Sequence, residues 1–146
     1  MNAYADTGLF VKSYVDEENS AEADEILAKV GTPLAFSHIH AVEIPNAIHL
    51  KRFRAEITPD QEAAVIRAFQ GDIDAGRLQR PDYDLGAVFR RAEALSARHS
   101  GSLGTRSMDL LHVAVALEAG CTEFISFDAR QRKVATKEGL RVIPRK

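Results

Sequence analysis

The sequence predicts an α/β fold with a short central parallel sheet, helices on both of its sides and an inserted helical hairpin. Short apolar strands at Tyr4–Asp6, Leu34–Phe36, Glu123–Phe127 and Leu140–Ile143 alternate with helical stretches, and strands spaced in this way pair in parallel beneath covering helices. Thr105–Asp128, reading TRSMDLLHVAVALEAGCTEFISFD, is one helix apolar on nearly all faces followed by one buried strand. Thr58–Ser100 carries two amphipathic helical patterns in succession, which supplies the hairpin.

The elements follow in order. Tyr4-Ala5-Asp6 ends a first strand, and Thr7 caps a helix running to about Tyr14 with Leu9, Phe10 and Val11 available for packing. Ser20 opens a second helix whose early acids, Glu22, Asp24 and Glu25, suit the helix dipole. Gly31-Thr32-Pro33 stops it, Leu34-Ala35-Phe36 is a strand, and Ser37 caps a helix over His38–Arg54 with Val42, Ala47, Ile48 and Phe53 as its apolar side. Pro45 lies inside that helix, where a missing N–H favours a kink. Thr58-Pro59-Asp60 starts the first hairpin helix. A linker over Leu78–Pro81 leads to the second, over Asp84–Ser100. Ser100–Thr105 reads as a flexible polar turn, with Thr105 or Ser107 capping the central helix. Gly120 ends that helix, a strand runs to Asp128, a basic helix spans Ala129–Glu138, and Leu140–Ile143 closes the sheet.

At 146 residues the chain is expected to form one domain, residues 1–146, with a sizeable core. Its 45% hydrophobic and 27% charged residues are ordinary for a soluble globular protein. No apolar run approaches the roughly 20 residues of a membrane span, and MNAYADTGLF lacks the pattern of a signal peptide. A cytoplasmic protein is the expectation. Cys121 is the single cysteine, which excludes an internal disulfide and a cysteine-based zinc site. The net charge of −2 carries no global nucleic-acid signature. Residues 1–30 hold seven acids against two basic residues, whereas Lys51–Lys146 holds seventeen basic residues against thirteen acids. An acidic pocket beside basic surface is compatible with that asymmetry, as is an ordinary solvated surface.

Four acids stand out by position. Asp109 lies in the first turn of the central helix, Asp128 at the end of the following strand, Asp6 at the end of the first strand, and Glu43 alone among apolar neighbours. Carboxyl ends of strands are where ligands bind in open α/β sheets. Our expectation is that the four gather at one rim and hold a divalent metal. Each alone can also be a helix cap or dipole partner. His112, one turn beyond Asp109, is a core or hydrogen-bonding histidine or a support for the site. A rival zinc site built from His38, His40 and His49 with Glu43 is weakened because His38 and His40 share no helix face and H-E-x-x-H is absent.

Tyr4-Ala5-Asp6-Thr7 with Leu9 and Lys12, Glu43 with Asn46-Ala47, Met108-Asp109-Leu110-Leu111-His112-Val113-Ala114-Val115-Ala116, Phe127-Asp128 and Gly139-Leu140-Val142-Ile143-Pro144 together resemble the PIN domain. The chain looks most like its VapC branch, the ribonuclease toxins of toxin–antitoxin pairs, and the resemblance spans essentially the whole length. It implies a PIN-like three-layer sandwich and a metal-dependent endoribonuclease. The family's acids map to Asp6, Glu43, Asp109 and Asp128, with Thr7 and Ser126 as supporting hydroxyls and Arg106 near the scissile phosphate. Oxygen-only ligands select Mg²⁺ or Mn²⁺. The products implied are 5′-phosphate and 3′-hydroxyl ends, and the substrate RNA is of the transfer or ribosomal class. A VapB-type antitoxin is implied as partner, docking on the helices of Leu9–Tyr14 and Val42–Phe53, and a homodimer as assembly. The alternatives are a housekeeping PIN nuclease without an antitoxin and a non-catalytic binding module. A receiver-like phosphorylation switch ranks lower because Asp6 has no acidic neighbour.

Overall fold

The computed structural model describes residues 1–145. In chain order the elements are β1 (Ala3–Ala5), α1 (Thr7–Tyr14), α2 (Ser20–Val30), β2 (Leu34–Ala35), α3 (His38–Phe53), α4 (Pro59–Asp74), β3 (Leu78–Gln79) and α5 (Leu85–Leu95). A π turn (Ser96–Ser100) follows, then α6 (Gly101–Leu103), α7 (Ser107–Glu118), β4 (Glu123–Ile125), α8 (Ala129–Lys137) and β5 (Arg141–Ile143). The α/β fold with a short parallel sheet flanked by helices is the predicted one. The chain gathers into two compact units: Thr7–Arg80, and Met1–Asp6 together with the chain from Pro81 onward. No helix of the described residues is long and apolar enough to cross a membrane.

The unit containing both ends of the chain is built on a three-stranded parallel sheet in the order β1-β4-β5. Ala5 stands opposite Ile125, and Ile125 opposite Ile143. Tyr4 and Phe124, both with no exposed surface, stack at a ring separation of 5.8 Å. The central helix α7 buries Val113, Ala114, Val115 and Ala116 completely, as expected of a helix apolar on nearly all faces. α5 packs chiefly on α7, burying Val88 and Leu95, and Arg91 binds Glu118 through Nε and Nη2.

Two expectations in this unit are corrected. The expected polar turn at Ser100–Thr105 is largely helical: the chain passes through the π turn and α6 before Gly104, at φ 65°, ends the run. The wider turn accompanies the burial of His99, whose Nε2 lies 2.7 Å from a Glu138 carboxylate oxygen. The cap of α7 is neither Thr105 nor Ser107. Arg106 holds that position without a side-chain cap bond, and Thr105 Oγ1 instead meets Ser100 Oγ at 3.1 Å.

The Thr7–Arg80 unit joins α1, α2, α3 and α4 to a two-stranded parallel sheet, β2-β3. Phe36 is buried between Phe69 and His40, with ring separations of 5.7 Å and 6.1 Å. The expected linker after Leu78 is strand β3, too short at two residues to show an alternating pattern. The expected hairpin is divided: α4 belongs to this unit and α5 to the other. Pro45 is accommodated inside α3, whose start is secured by a reciprocal cap between Ser37 and His40. Of the expected apolar side Ile48 is buried, joined by Ile39 and Ile44, whereas Val42 and Phe53 are 68% and 86% exposed. His40 acts in the cap and His49 Nδ1 lies 2.8 Å from Glu62 Oε2. These partners commit His40 and His49 to separate local contacts, which weighs against the zinc reading.

Core truncation separates these roles. Phe124→Ala, at a site with no exposed surface, is expected to cost about 3–5 kcal/mol in urea unfolding, whereas exposed Val42→Ala is expected to stay within about 0.5 kcal/mol.

Candidate functional site

Parallel pairing decides which residues meet. β1 and β4 are neighbours with Ala5 opposite Ile125, so Asp6 and the Ser126–Asp128 segment leave the sheet at the same carboxyl edge. The Asp6 N–H donates to Ile125 O at 2.9 Å, which fixes the point where Asp6 departs. The same unit brings the first turn of α7, with Asp109, to this edge through α8.

The joint is Gln131, fully buried in the first turn of α8. Its Oε1 accepts the Ser126 hydroxyl at 2.7 Å. Its Nε2 donates to Asp6 Oδ1 at 3.4 Å and to the Asp109 backbone carbonyl at 3.2 Å. Its backbone N–H donates to Asp128 Oδ1 at 2.8 Å, making Asp128 the cap of α8. The Asp128 N–H donates to Ser126 Oγ at 3.0 Å. One amide side chain therefore ties β1, β4, α7 and α8 together and touches the segments that carry three of the four expected acids.

His112 supports Asp6 from below. It is 1% exposed, its Nδ1 lies 2.7 Å from the Tyr4 hydroxyl, and its Nε2 lies 3.8 Å from Asp6 Oδ1. A proton on Nε2 faces the carboxylate and leaves Nδ1 to accept from Tyr4, the tautomer that satisfies both neighbours. Of the roles considered for this histidine, the buried hydrogen-bonding one is observed.

The electrostatics are unbalanced toward negative charge. Burial raises the Asp109 carboxyl above the ordinary aspartate range and neighbouring Asp128 adds to the shift; Arg106 and His112 act in the opposite sense. Arg106 is 77% exposed, and its Nε donates to Asp109 Oδ2 at 3.3 Å. Asp109 foremost, and then Asp128 and Asp6, hold its guanidinium still more firmly charged. All three aspartates thus act on one cation at this edge. Among the described residues no three His, Cys, Asp or Glu side chains stand as an assembled metal site. The donor chemistry nonetheless fits a hard divalent cation: the donors are oxygens, and their charge exceeds what one exposed arginine offsets.

Glu43 belongs to the other unit. On α3 its Oε1 accepts from Thr7 Oγ1 at 2.9 Å, and Thr7 is the residue after Asp6 in sequence. Of the supporting hydroxyls expected, Ser126 bonds Gln131 and Thr7 bonds Glu43. Gln131 itself was missed from sequence, where it reads as part of a basic helix. Its signal is position: an uncharged amide between Arg130 and Arg132, three residues after a capping aspartate.

With this geometry in place, comparison with known proteins identifies the class. The sequence profile of the PIN domain matches residues 3–137, and the chain belongs to that family. No curated protein matches it. Two solved structures are similar in fold. One is FitAcB from Neisseria gonorrhoeae, at a TM-score of 0.63 and 15% identity over 96% of this chain and 95% of that one. The other is VapBC2 from Rickettsia felis bound to a DNA fragment from their promoter, at a TM-score of 0.63 and 17% identity over 97% of each chain.

The folded chain holds the Asp109 proton more tightly than the unfolded chain does. The stability this group contributes is therefore present in acid and is lost as pH rises above the ordinary aspartate value. Without divalent metal, Asp109→Asn is expected to raise the melting temperature at pH 7, with the gain shrinking as pH falls toward about 4. Thermal unfolding of both proteins across that range checks it; an equal or lower midpoint for the variant at pH 7 refutes the assignment.

Proposed function

We propose that this chain is a metal-dependent endoribonuclease and the toxin of a VapBC-type toxin–antitoxin pair. The observation that carries the reading is the buried Gln131 amide, which joins Asp6 and the first turn bearing Asp109 at the carboxyl edge of the sheet. Membership of the PIN family, whose members are typically nucleases, supports hydrolysis of a phosphodiester. The likeness to VapBC2 and FitAcB supports the toxin branch and a VapB-type antitoxin as partner; action in the cytoplasm is part of the same reading. The reading treats residues 1–146 as one functional domain and expects a homodimer.

Asp6, Asp109 and Asp128 would hold Mg²⁺ or Mn²⁺, and Glu43 enters as the fourth acid from the family resemblance. The bound ion would supply a Lewis acid and a lowered pKa for a water. The chain's own residues do the remaining work. Gln131 and His112 hold Asp6 in place, and burial keeps Asp109 short of water. Arg106 offers the exposed cation that a scissile phosphate meets on approach. A water oxygen bonds to phosphorus as the bond to the 3′ oxygen breaks, which leaves 5′-phosphate and 3′-hydroxyl ends.

Cleavage of total RNA in Mg²⁺ or Mn²⁺ tests this. Antitoxin-free wild type should cut, and Asp6→Asn or Asp109→Asn should lose about 100-fold or more; Glu43→Gln should fall with them if it is the fourth acid. Equal cutting by wild type and the aspartate variants, or none by folded wild type, rejects the reading. A folded wild type that binds a partner peptide but never cuts RNA would instead favour a binding module.

A further inference from the structure

α8 has a second face. Gln131 turns inward, while Lys133, Thr136 and Lys137 are exposed. Together with β5 and the residues just after it they line an open groove of about 760 Å³. Five cations edge it, Arg132, Lys133, Lys137, Arg141 and Arg145, and no acid lines it among the described residues; the apolar floor includes Leu140 and Val142.

Little of that charge is neutralised. Arg141 pairs with Glu123. Arg132 spends its guanidinium on the backbone carbonyls of Ser126 and Pro144, which fix its position and leave its charge without a carboxylate. Lys133, Lys137 and Arg145 have no carboxylate partner among the described residues. β5 is an edge strand. A single edge cation is enough to discourage strand pairing, so five around one groove call for another reason. Lys133 and Lys137 stand one helical turn apart, about 6 Å along the axis, and Lys137 lies about 14 Å along α8 from its cap, Asp128. The groove thus runs along the same helix that is capped by Asp128 and whose Gln131 contacts Asp6 and the Asp109 backbone, within a few nucleotides of the acids. Lysines and arginines over an apolar floor suit a repeating phosphate backbone with unpaired bases.

We propose that the α8–β5 groove holds the phosphate backbone of the RNA strand beside the cleaved bond. The proposal rests on the ribonuclease reading, and it makes α8 both a holder of the acids and a rail for the substrate. The occupant is single-stranded RNA; an acidic protein segment is the competing outcome.

The test uses the full chain and a fluorescein-labelled single-stranded 12-mer RNA of mixed sequence, with binding read by anisotropy in chelator over a salt series. Lys133→Gln/Lys137→Gln/Arg145→Gln removes exposed charges without carboxylate partners, and circular dichroism checks its fold. Wild type should bind. The triple variant should bind about tenfold or more weakly at low salt, with a salt slope shallower by about 2, the loss of three phosphate contacts at ~0.7 each. Lys133→Arg/Lys137→Arg should bind as wild type, and the triple variant should cut a dinucleotide as fast as wild type in metal. Unchanged affinity and slope in the triple variant overturn the proposal, as does wild type that binds no RNA or that releases it to polyglutamate at equal charge. Groove-dependent binding without metal-dependent cleavage would uphold the groove and reject the nuclease; cleavage of the 12-mer that ignores the triple substitution would do the reverse.

Discussion

The site in this unit depends on a buried amide. Gln131 has no exposed surface, and both ends of its side chain are used: one accepts from Ser126, the other donates to Asp6 and to the backbone of Asp109. A buried polar group is tolerated only when its hydrogen bonds are made, so the amide commits four elements to one arrangement. Glutamate here would set a charge against Asp6, and leucine would leave the Ser126 hydroxyl and the Asp6 contact unmet. A neutral group with a donor and an acceptor is what the position demands.

Around that joint the chain keeps an electrostatic imbalance. Asp6, Asp109 and Asp128 all act on the Arg106 guanidinium, and Arg106 is too exposed to cancel them. Burial penalises the Asp109 charge further. The Asp109 carboxyl, shifted in this way, belongs to a kind of group that concentrates where chemistry is done. His112 and Tyr4 form the buried support on the other side of Asp6. The same unit sets Lys133 and Lys137 on the exposed side of α8, without carboxylate partners among the described residues, while Gln131 of that helix faces the acids.

Asp128 shows why position alone is ambiguous. From sequence it is either a cap or a metal donor; in the structure it is plainly the cap of α8, with one oxygen committed to the Gln131 N–H. The other oxygen keeps its lone pairs, and a capping carboxylate still projects its charge toward Asp109. The cap is the role the structure shows, and it leaves the proposed second one compatible with it. Glu43, alone among apolar neighbours in sequence, has a hydroxyl partner in the fold, Thr7.

Much was legible in the sequence. The alternation of strands and helices, the wholly apolar pattern of α7 and the Thr58-Pro59 start are local signals, written in a few consecutive residues, and the structure follows them. So did the placement of Asp6 at the end of a strand, because β1 is defined by its own residues. What required the tertiary structure was every non-local choice. Two-residue β3 carries no periodicity of its own and exists because β2 pairs with it. The buried side of α3 kept the expected Ile48 but took Ile39 and Ile44 in place of Val42 and Phe53, since its neighbours and not its composition decide which stripe is covered. Gln131 became the joint because parallel register set Ala5 against Ile125 and brought residues 125 positions apart onto one amide. Residue types told which groups can carry charge and coordinate oxygen-loving ions; only the packed chain decided which of them share an edge, because that follows from strand order and burial.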